Sequence, residues 1–499
     1  METKEAINVI REYGAKLRAL RHAMGVMQCD AMVCAPKNSA PYRAATGAVL
    51  SGEVYKLTTA PERVEAIELL SQMSGETDEL TRLEVKELKK ELDMLTKLPP
   101  ELYREFNRIK GEASAAWQAA KAANDHSMFE PYLDRMFSAA RTLAQHISPD
   151  KDPYDHWLDR FEPGASQETL DRFFGSVREG IVPLLRRVLE KPEPDTSFLH
   201  GHFPVEQQRK FSDSIMELMG IDRDDCSIAE VEHPYTMGLN KHDVRVTTHY
   251  YEDRVAANMF SVLHEGGHAI YEMGISDELT GTALAGPASS GIHESQSRFY
   301  ENMIGRTLAF AELITPVAAR FFPEAFAGVD AVRTWRAVNA VSPALKRTEA
   351  DELTYSLHVL VRYELEKLLM HGEITAKDVP CEWNRLYKEY LGIIVPNDSE
   401  GCLQDMHWGS GLIGYFPTYS LGNAYAAQID AAMRRELDAD ALIRGGRIPE
   451  ITAWLGERIH KYGRTKTPEE LVKICTGEPL DPKYYIDYLT EKYSKLYEL

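Results

Sequence analysis

Only one stretch of this 499-residue chain alternates like a β-strand. Almost everything else repeats at helical spacing, which restricts the fold to a mainly helical body. Residues 5–25 carry Ile7, Ile10, Tyr13, Leu17 and Leu20 on one helical stripe, and residues 62–97 continue that period among many Glu and Lys. Leu98-Pro99-Pro100-Glu101 breaks the pattern and starts a new helix, with proline in its first turn. Helices are predicted over 101–124, 129–147, 167–190, 205–219, 254–274, 293–313, 329–340, 348–371 and 376–392, then 421–437, 447–460, 467–474 and 482–498. The exception is Asp243-Val-Arg-Val-Thr-Thr-His-Tyr250, where β-branched residues recur with period two. No internal repeat and no Gly/Ser linker divides the chain, so residues 1–499 are expected to form one large domain with two lobes around a groove. A small sheet should lie beside the site.

Composition excludes several function classes. A net charge of −20 repels nucleic acid phosphates and anionic lipid. No run of about 18 apolar residues offers a membrane span, and the charged N-terminus does not resemble a signal peptide. The expected location is the cytoplasm. The six cysteines have no C-x-x-C spacing and are expected to be reduced thiols, not zinc ligands.

The sharpest motif is His264-Glu265-Gly266-Gly267-His268, inside an apolar helical stretch. Two histidines four apart on a helix are rotated by only about 40° and stand about 6 Å apart along the axis. Both imidazoles can reach one tetrahedral Zn²⁺. Glu265 lies about 100° round the helix, where it can take a proton from an activated water without occupying the metal. Gly266 and Gly267 weaken a helix by about 1 kcal/mol each, which points to close approach by substrate or a neighbouring helix. His293-Glu294-Ser295-Gln296 opens the next helix, beyond the Gly/Ser-rich loop 281–291. Glu294 lies 26 residues past His268, a separation that suits a helix–loop–helix return completing a His₂Glu site. His293 and Gln296 are candidates to orient the ligands. His200 and His202 read as a surface loop.

These motifs and their neighbours resemble the carboxypeptidase Taq family of metallocarboxypeptidases. The rest of the family pattern follows in order: His233-Pro-Tyr235 with Tyr in place of Phe, Asp243-x-Arg245-x-Thr247, and Arg347-x-x-Ala350-Asp351, preceded by Lys346 where Ile or Val is usual. Gly401-x-x-Gln404-Asp405-x-His407-Trp408 is complete, and Gly414-Tyr415-Phe-Pro-Thr-Tyr419 also fits. Gln28-Cys29-Asp30 departs from the bacterial pattern and is similar to the protozoan branch. The resemblance implies a helical fold with a deep groove, like angiotensin-converting enzyme and neurolysin. It further implies homodimers, one Zn²⁺ per subunit with Co²⁺ able to substitute, and removal of C-terminal residues from peptides.

The resemblance also implies roles. Tyr419, with Tyr415 as the alternative, is expected to stabilise the oxyanion. Arg347 is the first choice to bind the substrate carboxylate, because a guanidinium fork matches a carboxylate. Arg245 is the second, although Asp243–Arg245 equally suits a structural ion pair. His233 and His407 are expected polar contacts to substrate, and Asp405 an orienting group. Two other readings are an oligoendopeptidase or dipeptidyl carboxypeptidase on the same fold, and a non-catalytic peptide-binding protein.

Overall fold

Nearly every apolar stripe in the sequence becomes a buried helix face. The structure is a computed structural model that describes residues 1–73, 75 and 77–499. It is mainly helical, with one three-stranded sheet of order β1-β3-β2: β1 Cys226–Glu230, β2 Thr236–Asn240 and β3 Asp243–Thr248. β3 is the predicted strand. It pairs parallel with β1 and antiparallel with β2. Val244 and Val246 of β3 point into the core, as its period-two pattern requires.

The predicted single helix over 62–97 is instead two, Pro61–Gln72 and Glu79–Thr96. Asp78 starts the second by accepting a hydrogen bond from Thr81 N at 3.0 Å. Positions 74 and 76 of that prediction lie outside the described residues. The predicted helix over 293–313 is also interrupted. An α-helix, Ser290–Arg298, runs into a π-helical turn, Phe299–Ile304, and a new helix, Leu308–Phe321, begins after it. Thr307 caps that new helix by accepting from Phe310 N at 3.1 Å. Three helices were not foreseen: Ala40–Thr58, Pro153–Phe161 and Ala439–Arg444.

Four elements build the centre. The motif helix, Val255–Met273, and the return helix, Ser290–Arg298, pack against each other, and Pro417–Met433 lies across the return helix. The central helix, Glu352–His371, is almost wholly buried, and it takes the polar side chains of His358, Arg362 and Glu366 into the interior with it. It ends on Gly372, whose φ of 70° closes the last turn in the left-handed region. The N-terminal helices Thr3–Val33, Pro61–Gln72 and Glu79–Thr96 share a separate small core around Ile10, Ile67 and Leu88. A cavity of about 1650 Å³ is lined by these N-terminal helices and by Gly238, Glu272 and His293 of the main body. Among the described residues no helix is long and apolar enough to cross a membrane. All six cysteines are free.

Candidate metal centre

Gly267 decides how closely the two site-bearing helices approach. A Cβ there would stand 2.6 Å from the carbonyl oxygen of Gln296 and 2.8 Å from Cα of Ser297. Only glycine lets the return helix lie this near. Gly266 faces the flexible end of the Met219 side chain, and Gly422 lets Pro417–Met433 press against the stem of Glu294, with a virtual Cβ 2.5 Å from its Cγ. The second motif glycine therefore serves helix packing. Ser289 fixes the start of the return helix by accepting from Ile292 N at 2.9 Å.

This packing brings His264, His268 and Glu294 together, each offering one ligand atom within 4.8 Å of the others. Glu294 Oε2 is 3.7 Å from His264 Nε2 and 3.6 Å from His268 Nε2. Ligand atoms about 2.0–2.2 Å from one tetrahedral ion stand roughly 3.3–3.6 Å apart, so the donor set fits a divalent ion. Burial drives His268 down to about 3, leaving a neutral imidazole with a free lone pair. His264 is also buried, yet the negative charge of Glu294 and a bond to Glu301 raise it above the usual histidine value. A proton held there is what an ion replaces. Burial alone would raise Glu294, but Arg298 and the imidazoles hold its carboxyl far below the usual range.

The surroundings orient these groups. His264 Nδ1 lies 2.9 Å from Glu301 Oε2. Arg298 donates from Nε to Glu294 Oε1 at 2.7 Å and from Nη1 to Glu301 Oε2 at 3.0 Å. Sequence reasoning missed both Arg298 and Glu301. Their signal was present: with Glu294 they occupy positions i, i+4 and i+7 of one buried face. His268 is held by ring packing, its centroid 4.1 Å from that of His293, while His293 Nε2 lies 3.3 Å from Glu272 Oε1. Gln296 turns away from the ligands, its Oε1 2.8 Å from His460 Nε2.

Glu265 is 7% exposed. Burial raises its pKa, with the His264 charge and the Thr236 hydrogen bond offsetting part of the shift. The Thr236 hydroxyl donates to Glu265 Oε2 at 2.6 Å. Thr236 begins the edge strand β2, so the sheet does border the site, through a residue that no sequence pattern marked.

Arg347, Asp405, His407, Tyr415 and Tyr419 form a second cluster, which Arg245 and His233 do not join. Arg347 is buried. It donates to Asp405 Oδ1 from Nη2 at 2.9 Å and to the Tyr355 hydroxyl from Nη1 at 3.0 Å, and its guanidinium lies 4.7 Å from the Tyr419 ring centre. Arg362 holds the second oxygen of Asp405 at 2.7 Å from Nε. His407 Nε2 is 3.3 Å from the Tyr419 hydroxyl, and Tyr415 meets Tyr419 edge-on at 5.3 Å. Burial lowers His407 to about 4 and raises Tyr415 to about 12; Glu294 adds to the Tyr415 shift. Arg245 forms a two-pronged pair with Asp243, at 2.8 and 3.0 Å. Thr247 binds the backbone of Tyr235. His233 stands exposed in the β1–β2 connection, and His200 is likewise exposed.

Comparison with known proteins agrees with this geometry. Residues 9–493 match the family described as carboxypeptidase Taq (M32) metallopeptidase. The chain is similar to carboxypeptidase 1 of Bacillus subtilis, with 39% identity covering 98% of this chain and 99% of that one. It superposes on the M32 carboxypeptidase of Deinococcus radiodurans with a TM-score of 0.96 and 32% identity, covering 99% and 100% of the two chains. For metallocarboxypeptidase 1 of Trypanosoma cruzi the TM-score is 0.93 at 34% identity, again covering 99% and 100%.

Proposed function

The chain belongs to the carboxypeptidase Taq (M32) family of metallopeptidases, and from that premise we propose that it releases single amino acids from the free C-terminus of peptides at a zinc centre. Membership makes it a carboxypeptidase, a hydrolase of peptides that works with a divalent metal. Zinc, the general base and the one-residue step are our reading.

His264, His268 and Glu294 would hold the ion. When bound, it supplies Lewis acidity, polarising the scissile carbonyl and acidifying water. Glu265 accepts the water proton and later gives it to the leaving amine. Thr236 occupies Oε2 of Glu265, which leaves Oε1 as the oxygen that takes the proton. Burial supports this, because it raises the carboxylate's proton affinity towards the working range. The Tyr419 hydroxyl donates to the developing oxyanion, with Tyr415 as the alternative donor. Arg347, stacked on Tyr419, binds the terminal carboxylate, with His407 as a further polar contact. Arg245 and His233 are the weaker candidates: one is engaged by Asp243 and the other stands exposed.

One observation carries the proposal. One carboxylate oxygen of the return helix stands 3.6–3.7 Å from two imidazole nitrogens of the motif helix, and the motif helix also carries the buried Glu265 between them. The test is mass spectrometry of one peptide with free and with amidated C-termini. Successive losses of single residues from the free form alone are expected. Internal cuts would favour an oligoendopeptidase, dipeptide release a dipeptidyl carboxypeptidase, and binding without turnover a peptide-binding protein. A single two-lobed domain like that of angiotensin-converting enzyme, a cytoplasmic location and a homodimer belong to the same proposal, and sedimentation tests the last.

A further inference from the structure

We infer that Arg298 is a positioning residue that restricts Glu294 to a one-oxygen ligand and, through Glu301, fixes which nitrogen of His264 faces the metal. The inference rests on the ligand set proposed above and goes beyond it.

Glu294 Oε1 accepts from Arg298 Nε at 2.7 Å, while Oε2, which also accepts from the Ser297 hydroxyl at 3.2 Å, stands 3.6–3.7 Å from the two imidazoles. A carboxylate free of that bond could turn both oxygens to an ion and fill the position that substrate needs. The same guanidinium donates from Nη1 to Glu301 Oε2, the oxygen 2.9 Å from His264 Nδ1. An ionised Glu301 can only accept, so Nδ1 must carry the proton and Nε2 the lone pair. Arg298 itself is locked in place. Its side chain is 12% exposed, and its guanidinium lies 4.2 Å from the face of Tyr355. The planar fork matters, because its two separate donor nitrogens reach two carboxylates, whereas a lysine offers all its N–H bonds from one atom. By contrast, His268 Nδ1 is buried with no hydrogen-bond partner among the described residues, so control of the site enters from the His264–Glu294 side.

The test compares wild type with Arg298→Lys and Arg298→Met, each stripped and reloaded with Co²⁺. Wild type should give the intense visible absorption of a four-coordinate ion. Zinc-edge X-ray absorption of the wild type should find a single carboxylate oxygen. Both variants should show the weaker absorption of a higher coordination number. Metal affinity, read by chelator competition, should fall about 10- to 100-fold, with Arg298→Lys the less affected. Two-oxygen binding by Glu294 in wild type would overturn the inference even if the variants fail to fold. Unchanged spectra and affinity in folded variants would overturn it as well. Failure of wild type to take up one ion would refute the ligand set instead, which keeps the two results apart.

Discussion

The two halves of the candidate site are held in opposite ways. At the metal end, three ligand atoms point at one another, while Arg298 and Glu301 brace them from behind. At the arginine end, the guanidinium proposed to read substrate already has a partner: Arg347 and Arg362 share Asp405. The first arrangement is incomplete without an ion. The second is complete without a substrate, so a peptide carboxylate must share an occupied fork. Binding there should be correspondingly modest, and the metal end should dominate the rate.

The largest effect should come at the metal end. Glu265→Gln is expected to lower kcat by about a hundred- to ten-thousand-fold, with metal content unchanged. Steady-state kinetics on metal-assayed protein would show it, and full activity would remove Glu265 from the mechanism.

Tyr419→Phe comes next. Loss of one oxyanion donor costs about a hundred- to a thousand-fold in kcat, with KM little altered. A larger effect from Tyr415→Phe would exchange their roles.

At the arginine end, Arg347→Lys should cut kcat/KM about 10- to 100-fold, the weight of a charge-assisted hydrogen bond. The loss should appear in KM, with kcat little altered. A greater loss from Arg245→Lys would move the carboxylate site to β3.

The smallest effect concerns stability. Glu366 of the central helix is fully buried and accepts from Trp408 Nε1 at 2.8 Å, the Tyr154 hydroxyl at 2.8 Å and Gly414 N at 3.0 Å. It thereby anchors the loop between His407 and Tyr415. Burial raises it from 4.5 to about 7. The folded chain thus keeps a proton that the unfolded chain releases, so stability is full below about pH 4.5 and is lost as pH rises through about 7. At about 1.4 kcal/mol per unit the loss is about 3–4 kcal/mol. Melting temperature across pH 5–8 should fall in wild type relative to Glu366→Gln; parallel curves would contradict the assignment.

The same contrast explains what the sequence made legible. His264, Glu265 and His268 lie within one turn and a half of one helix, where spacing alone dictates geometry. Glu294 was reachable because a short loop returns the chain. Arg298 and Glu301 were legible in principle, on the same helix face as Glu294. Arg347 and Asp405 were named through the family resemblance alone, and their meeting with Arg362, like Thr236 and Glu366, was not foreseen. Each depends on segments tens of residues apart that meet only through tertiary packing, and no local period records that. The helices were read well where an apolar stripe faces the core. The π-turn at Phe299–Ile304 and the cap at Thr307 were missed, because one continuous apolar stripe runs through both. Ala40–Thr58 was missed for the opposite reason: it is largely exposed and has no stripe to see.

The most direct measurement is anomalous diffraction at the zinc edge from crystals grown with the metal. The account predicts one peak per chain, equidistant from Nε2 of His264, Nε2 of His268 and Oε2 of Glu294, with Glu265 beside it and unbonded to it. A crystal with no peak there, or with Glu294 turned away from both imidazoles, would contradict it.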